Sequence, residues 1–139
     1  MKARDKRFRP WARSLGAEKM SFETIVGFGS HTSRPHHRPT DRKLKKGDIV
    51  QIDMGVVVDN YLSDRSEVFF TGKPTAEQSK MYAAVLEAKD AAIAAIAPGV
   101  KVAEPDRIAH EVLAKHGFKK HAYDHSLGHG VGLEIHEGV

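Results

Sequence analysis

Three histidines near the end of the chain have the residue type and spacing for metal or proton chemistry. His125, His129 and His136 are separated by four and seven positions. Glycines occupy every second position around the middle histidine, at Gly128, Gly130 and Gly132. Each glycine would cost a helix about 1 kcal/mol relative to alanine, so we predict an extended segment. Glycine in a strand marks the close approach of a ligand or another backbone, so His129 could reach a metal ion. The alternative is a glycine-rich turn with solvated histidines.

Two aspartates form the second candidate group. Asp53 stands in the apolar run 49–58, and Asp64 follows eleven residues later on the returning arm of a predicted β-hairpin. A two-residue loop at 59–60 would pair Asp53 with Ser66, whereas a four-residue loop would pair it with Asp64 directly. Side chains alternate faces along a strand, so either register puts both carboxylates on the same face. Cross-strand neighbours lie roughly 5 Å apart and diagonal ones roughly 7–8 Å, so the two charges would be close.

This pair of carboxylates predicts a divalent cation. Like charges at such a separation, one of them in an apolar strand, are unfavourable unless a positive group lies between them. The chain has no cysteine, so any metal would be held by imidazole and carboxylate groups, which suit Zn, Mn, Co or Fe. Together with His129, bridging carboxylates could hold two metals about 3.5–4 Å apart. The alternative is that Asp53 is paired with an arginine and Asp64 caps a loop.

Two further histidines lie in the polar loop that precedes this hairpin. His36 and His37 stand between Pro35 and Pro39, which restrict the segment to extended or turn conformations. Consecutive side chains of an extended chain point in opposite directions, so we expect at most one of the two to face a site. The alternative is that both are surface residues of the loop. Around such a metal pair, outer histidines would bind a substrate carbonyl or move protons. The candidates for this role are His36, His125 and His136.

The remaining segments predict an α+β domain that positions these groups. A strand is predicted over 22–28, and the arms of the hairpin over 49–58 and 61–70. Thr75 and Gln78 form a capping-box pattern at the start of a helix that runs to about Ala97. Its apolar stripe is predicted to pack on the outer face of the sheet through Tyr82, Val85, Ile93 and Ile96, with Met81, Leu86 and Ala92. A second helix is predicted over 103–116 and stopped by Gly117, with its inward side chains at Ile108, Val112 and Leu113.

Composition and charge argue against nucleic-acid or membrane partners. The chain has 139 residues, enough for one domain, and a formal net charge of +4. Residues 1–20 hold seven Lys or Arg against two acids, and the remainder holds fifteen against sixteen. We interpret residues 1–12 as a basic, solvated tail, with the last turn of a helix at 11–15 stopped by Gly16. No apolar run approaches a membrane span or a secretory signal, so a cytoplasmic protein is expected.

Several separated motifs resemble the M24 metallopeptidases, which comprise Xaa-Pro dipeptidases (prolidases), aminopeptidases P and methionine aminopeptidases. The similarity is greatest to the Xaa-Pro branch. It includes the spacing of eleven between Asp53 and Asp64. The motifs occur in the family's order, at 21–26, 35–41, 47–55, 63–64 and 125–137. By this resemblance, residues 13–139 are an incomplete M24 catalytic domain whose C-terminal part is missing, through an interrupted gene or a truncation.

The resemblance implies a pita-bread fold, in which two pseudo-symmetric α+β halves surround a dinuclear Mn, Co or Zn site. In this part of the fold a curved antiparallel sheet carries helices on its outer face. Asp53 would be the bidentate metal ligand, Asp64 the bridging one and His129 the imidazole ligand. The residues at positions that assist substrate binding and proton transfer are His36, His125 and His136. The implied activity is that of a metal-dependent exopeptidase that hydrolyses Xaa-Pro bonds by a metal-bound hydroxide, with a homodimer left open.

Two departures from the family pattern bear on this expectation. The family uses five metal ligands, the last two being downstream glutamates, and neither Glu134 nor Glu137 matches them. Glu67 stands where the family usually has arginine, which would place a negative charge near the metals. We therefore expect the chain on its own to bind metal weakly and to have little or no activity. The alternative is a non-catalytic M24-like module that binds peptides or proteins through the same cleft.

Overall fold

A computed structural model of the chain describes residues 5–123 and 125–138, and within them it shows the predicted α+β class. The helices are α1 (Asp5–Ser14), α2 (Ala76–Ala94) and α3 (Ala103–Lys115), and 3₁₀ turns lie at Gly29–Ser33 and Lys119–His121. The strands are β1 (Lys19–Met20), β2 (Ile25–Phe28), β3 (Ile49–Met54), β4 (Val56–Val58), β5 (Tyr61–Leu62) and β6 (Arg65–Phe70). Two compact units are present, one formed by the chain up to Lys73 with Gly130–Gly138, the other by Pro74–His129.

The first unit is built on the predicted hairpin. Asp59 and Asn60 have φ values of 50° and 68°, the left-handed pair that a two-residue hairpin turn requires. Val58 therefore lies opposite Tyr61, and the same register continues until Asp53 lies opposite Ser66. Of the two registers that the sequence left open, the two-residue loop is confirmed.

The hairpin bends at Gly55, where the sequence predicted an uninterrupted strand. A Cβ atom on this residue would lie 1.8 Å from the carbonyl oxygen of Ser63, so only glycine fits. Just beyond the bend, the Ser63 N–H donates to the Val56 carbonyl at 2.9 Å. The arms thus pass from one three-stranded sheet, ordered β2-β3-β6, into another, ordered β1-β4-β5. Asp64 lies in the matching gap between β5 and β6.

A bidentate ion pair fixes the loop that leads into β3. Both terminal nitrogens of Arg42 donate to the Asp48 carboxylate at 2.8 Å, and the two side chains are only 23% and 11% exposed. The Lys45 N–H donates to the same carboxylate at 2.8 Å. The guanidinium, followed by this backbone hydrogen bond, lowers the pKa of Asp48 to about 2. The start of the central strand β3 is therefore held by charge as well as by sheet pairing.

The second unit contains both longer helices, with the predicted caps. Thr75 Oγ1 accepts the Gln78 N–H at 3.1 Å, and Gln78 Oε1 accepts the Thr75 N–H at 2.8 Å, which confirms the capping box. Helix α2 ends at Ala94, three residues before the predicted end. Helix α3 ends at Lys115, one residue before the predicted end. The predicted stop residue Gly117 has φ +88°, and the Phe118 N–H donates to the Leu113 carbonyl at 2.8 Å.

The predicted inward stripe of α2 is wrong for five of its seven residues, whereas Ala92 is buried and Met81 packs against the core. The buried side chains of this helix are Ala84, Ala88 and Ala92, which pack with Ala109, Leu113 and Phe118. The large apolar side chains instead are exposed, Tyr82 by 44%, Val85 by 51%, Leu86 by 43%, Ile93 by 58% and Ile96 by 67%. The reason is that a row of alanines lets α3 approach α2 closely. The prediction from the sequence instead assigned the buried face from the spacing of large apolar side chains. On α3, Leu113 is buried as predicted, and Ile108 and Val112 are partly buried.

Helix α1 occupies most of the segment that the sequence treated as a solvated tail. It runs from Asp5 to Ser14, so it begins before the predicted turn, and Gly16 follows with φ +99°. Ala12 is 4% exposed, whereas Trp11 is 57% exposed. In the described part of the chain, no helix combines the length and apolar character needed to cross a membrane.

Candidate functional site

The two predicted aspartates line one cavity of the first unit, with a volume of about 230 Å³. Its polar lining also includes two of the predicted histidines, His36 and His136, together with Glu23, Thr24 and Arg38. Its apolar lining consists of Phe22, Ile25, Pro39 and Ile135. The shared cavity is what the hairpin register requires, because Asp64 and Ser66 alternate with Arg65 and therefore share a face with Asp53.

Asp53 lies on the central strand, with Ile25 of β2 on one side and Ser66 of β6 on the other. Burial, and next the negative charge of Asp64, raise the pKa of the Asp53 carboxyl above its ordinary value. The Ser66 hydroxyl and the nearby His36 act in the opposite direction. The strand that positions this carboxylate thus holds it where a negative charge is disfavoured.

One oxygen of Asp53 indicates which kind of group could offset this unfavourable negative charge. Its Oδ1 atom is buried and has no hydrogen-bond partner among residues 5–123 and 125–138. A carboxylate oxygen in this state, beside a second carboxylate, fits a hard divalent cation, which accepts oxygen ligands and neutralises both charges. Across the same residues, no three His, Asp or Glu side chains converge closely enough to enclose a metal ion. The carboxylate pair therefore fits a divalent cation, but it supplies only part of the ligand set that such an ion requires.

His36 and His37 both line the cavity, although the sequence predicted that at most one would. They nevertheless differ in environment. His37 is only 7% exposed, and its ring lies 4.5 Å from that of His31. His36 is exposed, and it is close enough to Asp53 to lower the pKa of that carboxyl. His36 is therefore available to a substrate, whereas His37 is part of the packing.

His136 reaches the cavity from a tight turn in the predicted glycine segment. Gly130 and Glu137 form a β-bridge, and the Glu137 N–H donates to the Gly130 carbonyl at 2.9 Å. The Glu137 carboxylate accepts the Leu133 N–H at 2.6 Å. The Gly132 carbonyl accepts the Leu62 N–H of β5 at 2.7 Å. The segment is non-helical as predicted, but it forms the alternative, a glycine-rich turn with exposed histidines, and not the predicted extended segment. The Glu137 carboxylate stabilises this turn.

His125 and His129 lie in the second unit, and both are exposed. The ring of His125 lies 5.1 Å from that of Tyr123, and its Nδ1 donates to the Ser126 carbonyl at 2.7 Å. This hydrogen bond leaves Nε2 as the acceptor of the ring. His129 lines a separate cavity with Leu127 and Ile96. The metal-ligand role of His129 and the proton-transfer role of His125 stay predictions.

Glu67 does not have the effect expected from the sequence. It lies opposite Ile52 in the sheet, so its side chain is on the other face from Asp53. The Arg65 Nε donates to its carboxylate at 2.9 Å. The expectation that Glu67 adds a negative charge near the metals is therefore wrong, because strand alternation turns it away and Arg65 neutralises it.

Sequence reasoning missed the roles of two polar residues of the first unit, Ser66 and Thr24. Ser66 was recognised only as its cross-strand neighbour, yet its hydroxyl acts on the carboxylate. Thr24 is 8% exposed, lines the cavity and has a buried hydroxyl without a partner in the described residues. The hairpin register could have indicated Ser66, whereas no sequence pattern distinguishes Thr24 from an ordinary strand threonine.

The chain is similar in sequence to known peptidases. The profile of metallopeptidase family M24 matches residues 3–138. An uncharacterized peptidase of Staphylococcus saprophyticus is 43% identical over 125 residues, which cover 90% of this chain and 35% of that protein. An Xaa-Pro dipeptidase of Pyrococcus horikoshii is 40% identical over 122 residues, covering 88% and 34% respectively. The chain spans about a third of the length of these curated relatives.

The fold is also that of solved prolidases. The crystal structure of recombinant prolidase from Thermococcus sibiricus superposes with a TM-score of 0.90 at 35% identity, covering 96% of this chain and 36% of that one. The pita-bread architecture implied by the motifs is thereby confirmed for the part that the chain covers. With the profile match over nearly its whole length, the chain belongs to metallopeptidase family M24, and its similarity is to the Xaa-Pro branch of that family.

Proposed function

We propose that this protein is a metal-dependent exopeptidase that hydrolyses the bond between a first residue and a proline at the second position. One observation carries the proposal. Asp53 and Asp64 line one cavity, and the buried Oδ1 of Asp53 has no partner among the described residues. Membership of family M24 and 40% identity to an Xaa-Pro dipeptidase support the substrate class.

Asp53, Asp64 and His129 would hold divalent ions, with Mn, Co or Zn as the candidates. Ions at such a site supply a nucleophile at neutral pH and polarise the scissile carbonyl. The protein's own contribution begins with the sheet, which fixes both carboxylates on one face before any ion arrives. Because these ions would bind the folded chain and not the unfolded chain, they would also stabilise the fold by mass action.

The surrounding side chains suit a short peptide ending in proline. Phe22, Ile25 and Pro39 form an apolar wall against which a pyrrolidine ring can pack. His36 and His136 are exposed at the same cavity, where imidazole can bind the substrate carbonyl or transfer protons near neutral pH. His125, with Nε2 as its acceptor, would take part in the same transfers.

The test measures binding and turnover of an Xaa-Pro dipeptide by the 139-residue chain with added Mn²⁺ or Co²⁺. We expect metal-dependent dipeptide binding in calorimetry, with little or no proline release because the chain supplies three of the five implied ligands. Asp64→Asn should abolish that binding, whereas Asp90→Asn, the same charge change at an exposed position of α2, should leave it intact. Dipeptide binding that needs no metal and survives Asp64→Asn would refute the enzyme assignment.

A non-catalytic M24-like module that binds peptides or proteins is the second candidate. It is favoured by one observation, that the described residues bring together a carboxylate pair without a third close ligand. The two candidates differ in metal content. Stoichiometric divalent metal in the purified protein supports the enzyme, whereas metal-free protein that still binds peptide supports the module.

A further inference from the structure

Two buried side-chain oxygens lack hydrogen-bond partners in the described part of the chain, and both belong to residues of one cavity. They are Thr24 Oγ1 and Asp53 Oδ1. Thr24 is 8% exposed, so its hydroxyl is removed from bulk water. Native proteins satisfy nearly all buried polar groups, and an exception calls for a cause. The coincidence of both exceptions in one cavity points to a shared partner that is not a protein group.

The two residues line the same cavity and lie on neighbouring segments of the first unit. Ile25 is the direct cross-strand partner of Asp53, and Thr24 immediately precedes it. On the opposite side of β3, Ser66 already contributes its hydroxyl to the Asp53 carboxylate. Thr24 therefore precedes the strand on one side of β3, whereas Ser66 lies on the strand at its other side.

The chemistry of the two atoms selects the kind of partner. A carboxylate oxygen and a hydroxyl oxygen are both ligands, direct or through water, for a hard divalent cation. Phe22 and Ile25 line the same cavity with apolar surface, which offers no competing ligand to a cation. We propose that Thr24 is a further positioning residue of the divalent-cation site, where a hydrated cation satisfies its hydroxyl together with Asp53 Oδ1. This inference rests on the metal site of the proposed function.

The experiment compares Mn²⁺ affinity with metal-free stability in Thr24→Val, which removes the hydroxyl and keeps the shape. Free Mn²⁺ is measured by electron paramagnetic resonance, and thermal unfolding is followed in the presence of a chelator. We expect Mn²⁺ to bind Thr24→Val at least ~10-fold more weakly, as for other groups that orient metal ligands. The metal-free variant should unfold at the same or a higher temperature, because an unsatisfied buried hydroxyl has been removed. Thr24→Ser should restore wild-type affinity.

Thr71→Val provides the matched control, because the Thr71 hydroxyl donates to the Asp48 carbonyl at 2.9 Å. It should lower the unfolding temperature and leave Mn²⁺ affinity unchanged. If Thr24→Val lowers the unfolding temperature in the same way, or binds Mn²⁺ like the wild type while Asp53→Asn does not, the role of Thr24 is wrong and the metal site stands. If the wild type shows no saturable Mn²⁺ binding, or Asp53→Asn binds as well as the wild type, the metal site itself is wrong and the inference with it.

Discussion

Gly55→Ala should disrupt both the fold of the hairpin and the carboxylate pair. The Cβ atom of alanine would lie 1.8 Å from the carbonyl oxygen of Ser63, a backbone atom that cannot rotate away. Real Cβ contacts are essentially never shorter than 3.0 Å, so the two arms must separate. Asp53 precedes this point by two residues and Asp64 follows Ser63 directly, so their relative position changes with the separation.

The magnitude follows from the interactions that hold the bend. The Ser63 N–H donates to the Val56 carbonyl at 2.9 Å, and the Val56 N–H donates to Ser63 Oγ at 3.0 Å. Losing two such bonds costs about 1 kcal/mol each. Forced overpacking typically adds about 1–3 kcal/mol. We therefore expect the free energy of unfolding to fall by about 3–5 kcal/mol, a large share of the total for a small domain.

Thermal unfolding followed by circular dichroism, with a parallel Mn²⁺ titration, checks this prediction. The matched control is Gly72→Ala, where the added Cβ meets the Gly47 nitrogen at an ordinary 3.7 Å. We expect the control to unfold near the wild-type temperature and Gly55→Ala to unfold at least ~10 °C lower. Equal unfolding temperatures for the two variants would refute the role assigned to the bend.

Two further predictions concern the loop before β3 and helix α2. Asp48, whose pKa is about 2 in the folded chain, stabilises the fold fully above its unfolded pKa of about 3.9 and loses this effect as the pH falls toward 2. The unfolding temperature of the wild type should therefore exceed that of Arg42→Met near neutral pH and approach it near pH 2. In the second unit, Ala88→Leu should destabilise by about 1–3 kcal/mol by overpacking, whereas Ile93→Gln should change stability by under about 0.5 kcal/mol. If denaturant titration shows that Ile93→Gln loses more unfolding free energy than Ala88→Leu, the buried face of α2 is the one predicted from the sequence.

The features that the sequence predicted well are those governed by local chemistry. The sequence placed the hairpin turn at Asp59-Asn60, and both registers that it left open put Asp64 on the face of Asp53. Thr75 and Gln78 mark the start of α2 through hydrogen bonds made within one turn. The carboxylate pair follows from the alternation of side chains along the two arms. Each of these needs no knowledge of distant segments.

The features that the sequence missed depend on which surfaces meet. The buried face of α2 is set by how closely α3 approaches, so the alanine row around Ala88 is inside and Ile93 is outside. The bend at Gly55 depends on the Ser63 carbonyl eight residues away. The orphaned hydroxyl of Thr24 is visible only once every neighbouring donor and acceptor has been placed.

Anomalous diffraction at the manganese edge, from crystals of the chain soaked in MnCl₂, tests directly whether Asp53 and Asp64 bind a divalent metal. We expect an anomalous difference peak in the cavity beside Asp53 Oδ1 and within ligand distance of Asp64. The peak should be absent from crystals of Asp53→Asn soaked in the same way. A manganese peak elsewhere on the chain, or none beside Asp53 in well-ordered crystals, would contradict the central claim that this carboxylate pair is a divalent-metal site.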